Sequence, residues 1–285
     1  MLKSLILAAT ALASVAATPA LAQSTSDDPG FTGFYVGGSF GGSFQSNDAG
    51  SPVLFDRDLN GRFGDTVTTA AGANAFGPPN GGFCNGRNIT NSIAGGCTND
   101  KDGPDYAARV GFDIQRGPVV FGVVGEFGRA EVRDFSTAFS TTPANYTFAR
   151  DLRYNGNIRA RVGYTPNNQT LFYVTGGGAY GRVRNYFQTS NGLNTFSALQ
   201  SDDAYGFTGG GGVEQKIGRN FSIGLEYLYT DLFTDRDRVR VGPNANPALT
   251  ATNPFILGNA SGTDMIRGDP HFRTHSGRVV ATFRF

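Results

Sequence analysis

The sequence predicts an all-β protein: an eight-stranded antiparallel up-and-down transmembrane β-barrel with long loops at one end. Three observations carry this. Period-2 alternation recurs in eight segments, the connections between them alternate long and short, and the final segment runs as a strand into Phe285. In that segment, 271–285, Phe283, Ala281, Val279 and Gly277 share one face, while Arg284, Thr282, Val280, Arg278 and Ser276 share the other. An apolar exterior around a polar interior is what a strand in lipid requires. Composition agrees, since 41 Gly, 24 Phe and 11 Tyr with only 2 Met favour strands and turns over helices. The formal net charge of +1 gives no electrostatic footprint for nucleic acid.

Taken in order, the first strand is expected at 34–44, with Phe34, Val36, Phe40 and Phe44 opposite Tyr35, Ser39 and Ser43. The second, 106–115, sets Tyr106, Ala108, Val110, Phe112 and Ile114 against Arg109, Asp113 and Gln115, and ends at an Arg-Gly-Pro turn. The third, 119–128, points Phe121, Val123 and Phe127 outward and Glu126 inward. The fourth, 152–164, opposes Leu152, Tyr154, Ile158, Ala160, Val162 and Tyr164 to Arg153, Asn155, Asn157, Arg159 and Arg161. In the fifth, 171–183, Phe172, Val174 and Tyr180 compete with Leu171, Tyr173 and Val183 for the outer face, so its register is open. The sixth, 204–216, turns Glu214 and Thr208 inward, and the seventh, 221–230, turns Ser222, Glu226 and Thr230 inward.

Connections one, three, five and seven are long (roughly 45–105, 129–151, 184–203 and 231–271), and the other three are tight turns. Short periplasmic turns and long outer loops have that asymmetry in outer-membrane barrels. The opening segment fits the same destination. Residues 1–22 carry Lys3, an apolar run from Leu5 to Ala17 and an Ala20-Leu21-Ala22 ending, which reads as a secretory signal peptide with the mature barrel occupying 23–285. Its apolar run is too short to span a bilayer as a helix.

The strand segments resemble the porin-like outer-membrane β-barrel proteins of alphaproteobacteria, related to small barrels of the OmpA and OmpX type. Residues 31–38 (FTGFYVGG) are similar to that family's opening strand, 122–127 (GVVGEF) to its third, and 210–232 (GGGVEQKIGRNFSIGLEYLYTDL) to its sixth and seventh. A monomer held in outer-membrane lipid by its apolar stripes is expected, and the resemblance implies that Phe285 is the terminal aromatic presented to the outer-membrane assembly machinery. It covers the strands and little of the loops, and the first loop, about sixty residues long, departs from it.

A family label of "porin" does not decide the mechanism, because an eight-stranded barrel is just wide enough for its own side chains to fill. The residues expected inside are Arg109, Asp113, Glu126, Arg153, Arg159, Arg161, Glu214, Glu226 and Arg278. Buried charges of both signs must pair, so the first expectation is a salt-bridge network that plugs the bore. A narrow ion path lined by arginine is the alternative, and a surface module acting through its loops is the second. Cys84 and Cys97, the only cysteines of an exported chain, are expected to form a disulfide in the first loop.

Upstream, 56–63 (DRDLNGRF) copies the first half of a calcium loop through Asp56, Asp58 and Asn60. Position twelve is Val67 in place of a bidentate Glu, with Asp65 as the nearby substitute. Polar turns also collect Asp and Asn, so both readings stand. His271 and His275 lie about 13 Å apart along a strand and cannot share one ion. With no nucleophile, base and orienting carboxylate converging, no enzymatic activity and no other cofactor are expected.

Overall fold

The computed structural model describes residues 30–45, 52–197, 201–235, 238–243 and 252–285, and the expected signal peptide at 1–22 lies outside the described residues. In chain order the strands are β1 (Gly33–Phe44), β2 (Val53–Asp56), β3 (Gly82–Asn85), β4 (Arg87–Asn88), β5 (Cys97–Thr98), β6 (Gly103–Arg116), β7 (Val119–Ala130) and β8 (Arg133–Ser140). They continue as β9 (Ala144–Tyr164), β10 (Thr170–Thr189), β11 (Thr195–Phe196), β12 (Ser201–Lys216), β13 (Phe221–Phe233), β14 (Arg238–Gly242), β15 (Thr263–Arg267) and β16 (His271–Arg284).

Eight of these close a barrel. The antiparallel pairings run β1–β6–β7–β9–β10–β12–β13–β16 and return from β16 to β1. Closure leaves no strand edge in lipid, where an unpaired backbone group would be costly. Side chains alternate as the period-2 pattern requires: Phe40, Val110, Phe121, Ile158, Val174 and Leu225 are exposed on the outside, while Ser39, Arg109, Glu126, Arg159, Thr175 and Glu226 are buried within. A belt this apolar around the whole circumference has no place in water and is the expected lipid contact of a transmembrane barrel. No helix of the described residues is long and apolar enough to cross a membrane.

Two differences from the sequence reading have physical causes. The register of β10 resolves with Leu171, Tyr173 and Val183 buried and Phe172 and Val174 exposed. The pairing of β9 with β10 slips by one residue where Arg182 faces Tyr154 and Val183 faces Leu152. Arg153 is the extra residue of this bulge, which reverses the alternation beyond it. Leu152 therefore turns inward and is buried, in place of the outward position expected. Arg153 is corrected accordingly: it is only half-buried and sits at the bulge outside the charged interior.

The long connections are not open loops. β9 and β10, of 21 and 20 residues, exceed the roughly 9–11 residues a membrane strand needs. Their outer halves carry β8 and β3, and a separate sheet of order β11–β14–β15–β2 stands beside them. Val53, Phe55, Phe76, Tyr146, Phe148, Val241, Phe255 and Met265 from these segments pack into one apolar core. The outer loops thus fold into a cap, and Phe255 of the apolar 253–257 stretch is buried in it.

Candidate functional site

The interior of the barrel is stacked in layers, read from the turn end, where Phe285 lies, toward the cap. Phe31, Val120, Leu171 and Tyr173 form an apolar floor. Above it, Arg161 pairs with Asp113 and with Glu214 at 2.9 Å, and Arg284 reaches Asp113 at 2.9 Å. One pleat higher, Arg109 lies 3.1 Å from Glu126 and 3.2 Å from Glu226, Arg159 lies 2.9 Å from Glu126, and Arg278 bridges Glu226 at 2.5 Å and Glu126 at 2.7 Å. Arg278 also faces Asp105 at 3.5 Å, where Ser43 and Ser276 hydrogen-bond the same carboxylate.

Five arginines (109, 159, 161, 278, 284) thus meet five carboxylates (Asp105, Asp113, Glu126, Glu214, Glu226), all of them buried. The signs balance among these ten residues, and Lys216, also buried, is a further cation at the floor, where it donates to the Gly30 carbonyl at 2.8 Å over the Phe31 ring. Arg161 and Arg284 also lie over the ring of Tyr35, with Arg161 about equally close to Tyr173, so the guanidinium faces are covered by aromatic carbon.

An apolar layer lies above these charges. Ala130, Val132, Leu152, Ala179, Val183, Ala204, Leu232 and Phe272 pack together there. Beyond it a second buried ion cluster forms, with Asp134 accepting from Arg150 at 2.5 Å and from Arg267 at 2.6 Å, and Arg150 donating to the carbonyl of His271 at 2.7 Å. This cluster joins β8, β9 and β15 and locks the cap to the barrel. Of the residues expected in the bore, the structure brings together Arg109, Asp113, Glu126, Arg159, Arg161, Glu214, Glu226 and Arg278; it adds Arg284, which the alternation of its strand placed on the polar face, and Asp105, which lies one residue before the expected start of its strand. The Asp134 cluster had no local signal, because its partners lie 16 and 133 residues away.

Asp100 borders the same cluster and accepts the Phe135 N–H at 2.8 Å. Burial, reinforced by the neighbouring Asp134 charge, pushes its carboxyl up to about 7, against the pull of Arg267 and Arg150. A proton held more tightly folded than unfolded stabilises the fold fully below the ordinary carboxylate value, and that contribution is lost as pH rises through about 7. Asp100→Asn, which keeps the acceptor for Phe135, is expected to make the cap more protease-resistant than wild type at pH 8 but not at pH 4. Equal ratios at both pH values would contradict this.

In the first loop, Cys84 and Cys97 form a disulfide that ties β3, and through it β8, to β5. The carboxylate oxygens of Asp56, Asp58 and Asp65 lie within 4.8 Å of one another. With Asn60 they would be the ligands of a hard cation such as calcium. The same groups also close the turn unaided: Asp56 accepts the N–H groups of Asn60 and Gly61 at 3.0 and 2.8 Å, and Asp65 accepts that of Arg57 at 2.8 Å. Val67 is buried in the cap core and supplies no twelfth-position ligand. His271 and His275 are engaged separately, by Asp231 and by the Tyr227 hydroxyl.

The model of the outer membrane protein beta-barrel domain matches residues 8–253. The chain belongs to that family. Outer-membrane β-barrel relatives include the 31 kDa outer-membrane immunogenic protein of Brucella melitensis, 27% identical over 205 residues that cover 71% of this chain and 69% of the relative. The 22 kDa outer membrane protein of Rhizobium leguminosarum bv. viciae is 33% identical over 121 residues, covering 42% and 49%. Among solved structures, the outer membrane protein OprG of Pseudomonas aeruginosa covers 91% of this chain and all of its own at 11% identity and a TM-score of 0.48. The protein is an outer-membrane β-barrel, as its alternation, closure and family require, and its relatives are not enzyme families.

Proposed function

We propose that this barrel is a non-conducting structural and surface protein of the outer membrane, a monomer whose interior serves as a core and whose folded cap serves as the interaction surface. The reading rests chiefly on the charge-balanced arginine and carboxylate network, closed by an apolar layer above and an apolar floor below. An ion entering the bore would have to displace salt bridges whose side chains are already paired and out of contact with water, a cost of several kcal/mol for each charge left unpaired. Export through residues 1–22 and delivery to the assembly machinery through the β16 segment that ends at Phe285 complete the reading. Phe285 is half-exposed, and its amide donates to the Phe34 carbonyl at 2.9 Å, beside the seam that closes the barrel.

The competing channel reading predicts permeability. Liposomes containing the folded protein are expected to swell in isotonic monosaccharide or chloride solutions no faster than empty liposomes. Swelling that scales with the amount of folded protein would overturn the structural reading in favour of a pore.

A further inference from the structure

All four long connections meet at one open cleft in the cap, with a volume of about 420 Å3. Its floor is aromatic: Tyr146 packs edge-on against Phe76 and Phe255, each at 5.4 Å between ring centres. Its walls carry amides and hydroxyls. Asn191 donates to the Tyr146 hydroxyl at 3.0 Å and to Asn194 at 2.9 Å, and Asn194 donates in turn to the Gly242 carbonyl at 3.0 Å. Asn253 faces them from the fourth connection, with its oxygen held by the Phe255 N–H at 3.1 Å. These amides are oriented by the fold before any ligand arrives, and each keeps unused donor or acceptor capacity.

No described residue lining the cleft carries a charge at neutral pH. A phosphate, sulfate or carboxylate ligand would be expected to meet an arginine or lysine, and a purely apolar ligand would leave the wall amides unpaired. A ligand with many neutral hydroxyls and one apolar face satisfies both surfaces, and the volume falls within the roughly 300–1,000 Å3 of small-molecule pockets. From this geometry we infer that the cleft binds a neutral saccharide of about disaccharide size. The inference rests on the proposed role of the cap as the interaction surface of a closed barrel.

The test is saturation-transfer NMR on the folded, detergent-solubilised full chain with maltose, lactose, mannobiose and diacetylchitobiose, beside a sulfated heparin disaccharide. Thr142→Trp is the matched variant, because Thr142 is an exposed wall residue whose enlargement narrows the cleft and leaves the buried floor residues themselves unchanged. At least one neutral disaccharide is expected to show saturable transfer, weakened tenfold or more in the variant. Competition by polysaccharide released from the bacterium's own lipopolysaccharide would assign the glycan to the same cell surface; binding without competition would assign it to an external source. Transfer from none of the four, transfer unchanged in the variant, or preference for the sulfated disaccharide would each overturn the assignment. If that failure comes from protein that is folded and does not permeabilise liposomes, the closed-barrel reading stands apart from it.

Discussion

Arg278→Met is expected to lower the stability of the folded barrel by about 3–5 kcal/mol, the usual consequence of removing one partner from a buried ion network. Arg278 contacts Glu126, Glu226 and Asp105 at once, and its loss leaves Glu126 and Glu226 to Arg109 and Arg159, and Asp105 to the hydroxyls of Ser43 and Ser276. Methionine fills most of the space, so the effect reports charge more than packing. The measurement is the urea midpoint of refolding into lipid vesicles, followed by the gel shift of heat-modifiable protein. A second change, Glu126→Gln, restores neutrality and is expected to recover part of the loss. A midpoint unchanged in Arg278→Met would mean that water replaces the missing partner and would contradict the structural role of the buried network.

Gly177→Val is expected to prevent closure of the barrel, while Gly178→Val one residue along is expected to fold. A Cβ on the inward-facing Gly177 would stand 2.0 Å from the Ile158 carbonyl oxygen and 2.7 Å from the Arg159 Cα, both backbone atoms of the adjoining strand that cannot swing aside. At Gly178, which faces lipid, nothing lies within 4 Å. The inward clash lies at or beyond the top of the roughly 1–3 kcal/mol usual for overpacking, and it falls on the register that seats Arg159 among its carboxylates. The readout is the fraction of protein migrating as the compact unheated form. Compact migration of both variants in equal yield would contradict the tight inner curvature on which the ion network depends.

The barrel was legible where side chains report a face. The terminal strand shows this: Phe283, Val279, Arg284, Arg278 and Ser276 all lie on the faces their alternation assigns. Legibility failed where the alternation is interrupted or unmarked. The bulge at Arg153 inserts one residue and inverts the alternation on its outer side, which is why Leu152 is buried and Arg153 is not, while the assignments from Tyr154 to Tyr164 hold. The glycines at 176–178 have no side chain to vote, so the register of β10 needed its neighbours. The outer half of β9 is buried on both faces from Asn145 to Arg150, and a strand covered on both sides loses the period-2 signature that would separate it from a loop.

The charged interior was readable one strand at a time because each membrane strand contributes inward charges at its own period. The cap was not, because its core gathers Phe55, Tyr146 and Met265 from three separate connections, with Phe196 of a fourth packed against it, and its Asp134–Arg267 pair spans 133 residues. Contacts of that kind are set by how the barrel brings the loop bases together, which no local pattern in the chain encodes.

The claim that the bore is closed is tested most directly by single-channel recording of the purified, heat-modifiable protein in a planar bilayer. The balanced network and the apolar layer through Leu232 and Phe272 predict a silent membrane at all voltages where the bilayer itself holds. Discrete current steps that grow with salt concentration and disappear when Arg159 or Arg161 is replaced would contradict the account and make the arginines the lining of a pore.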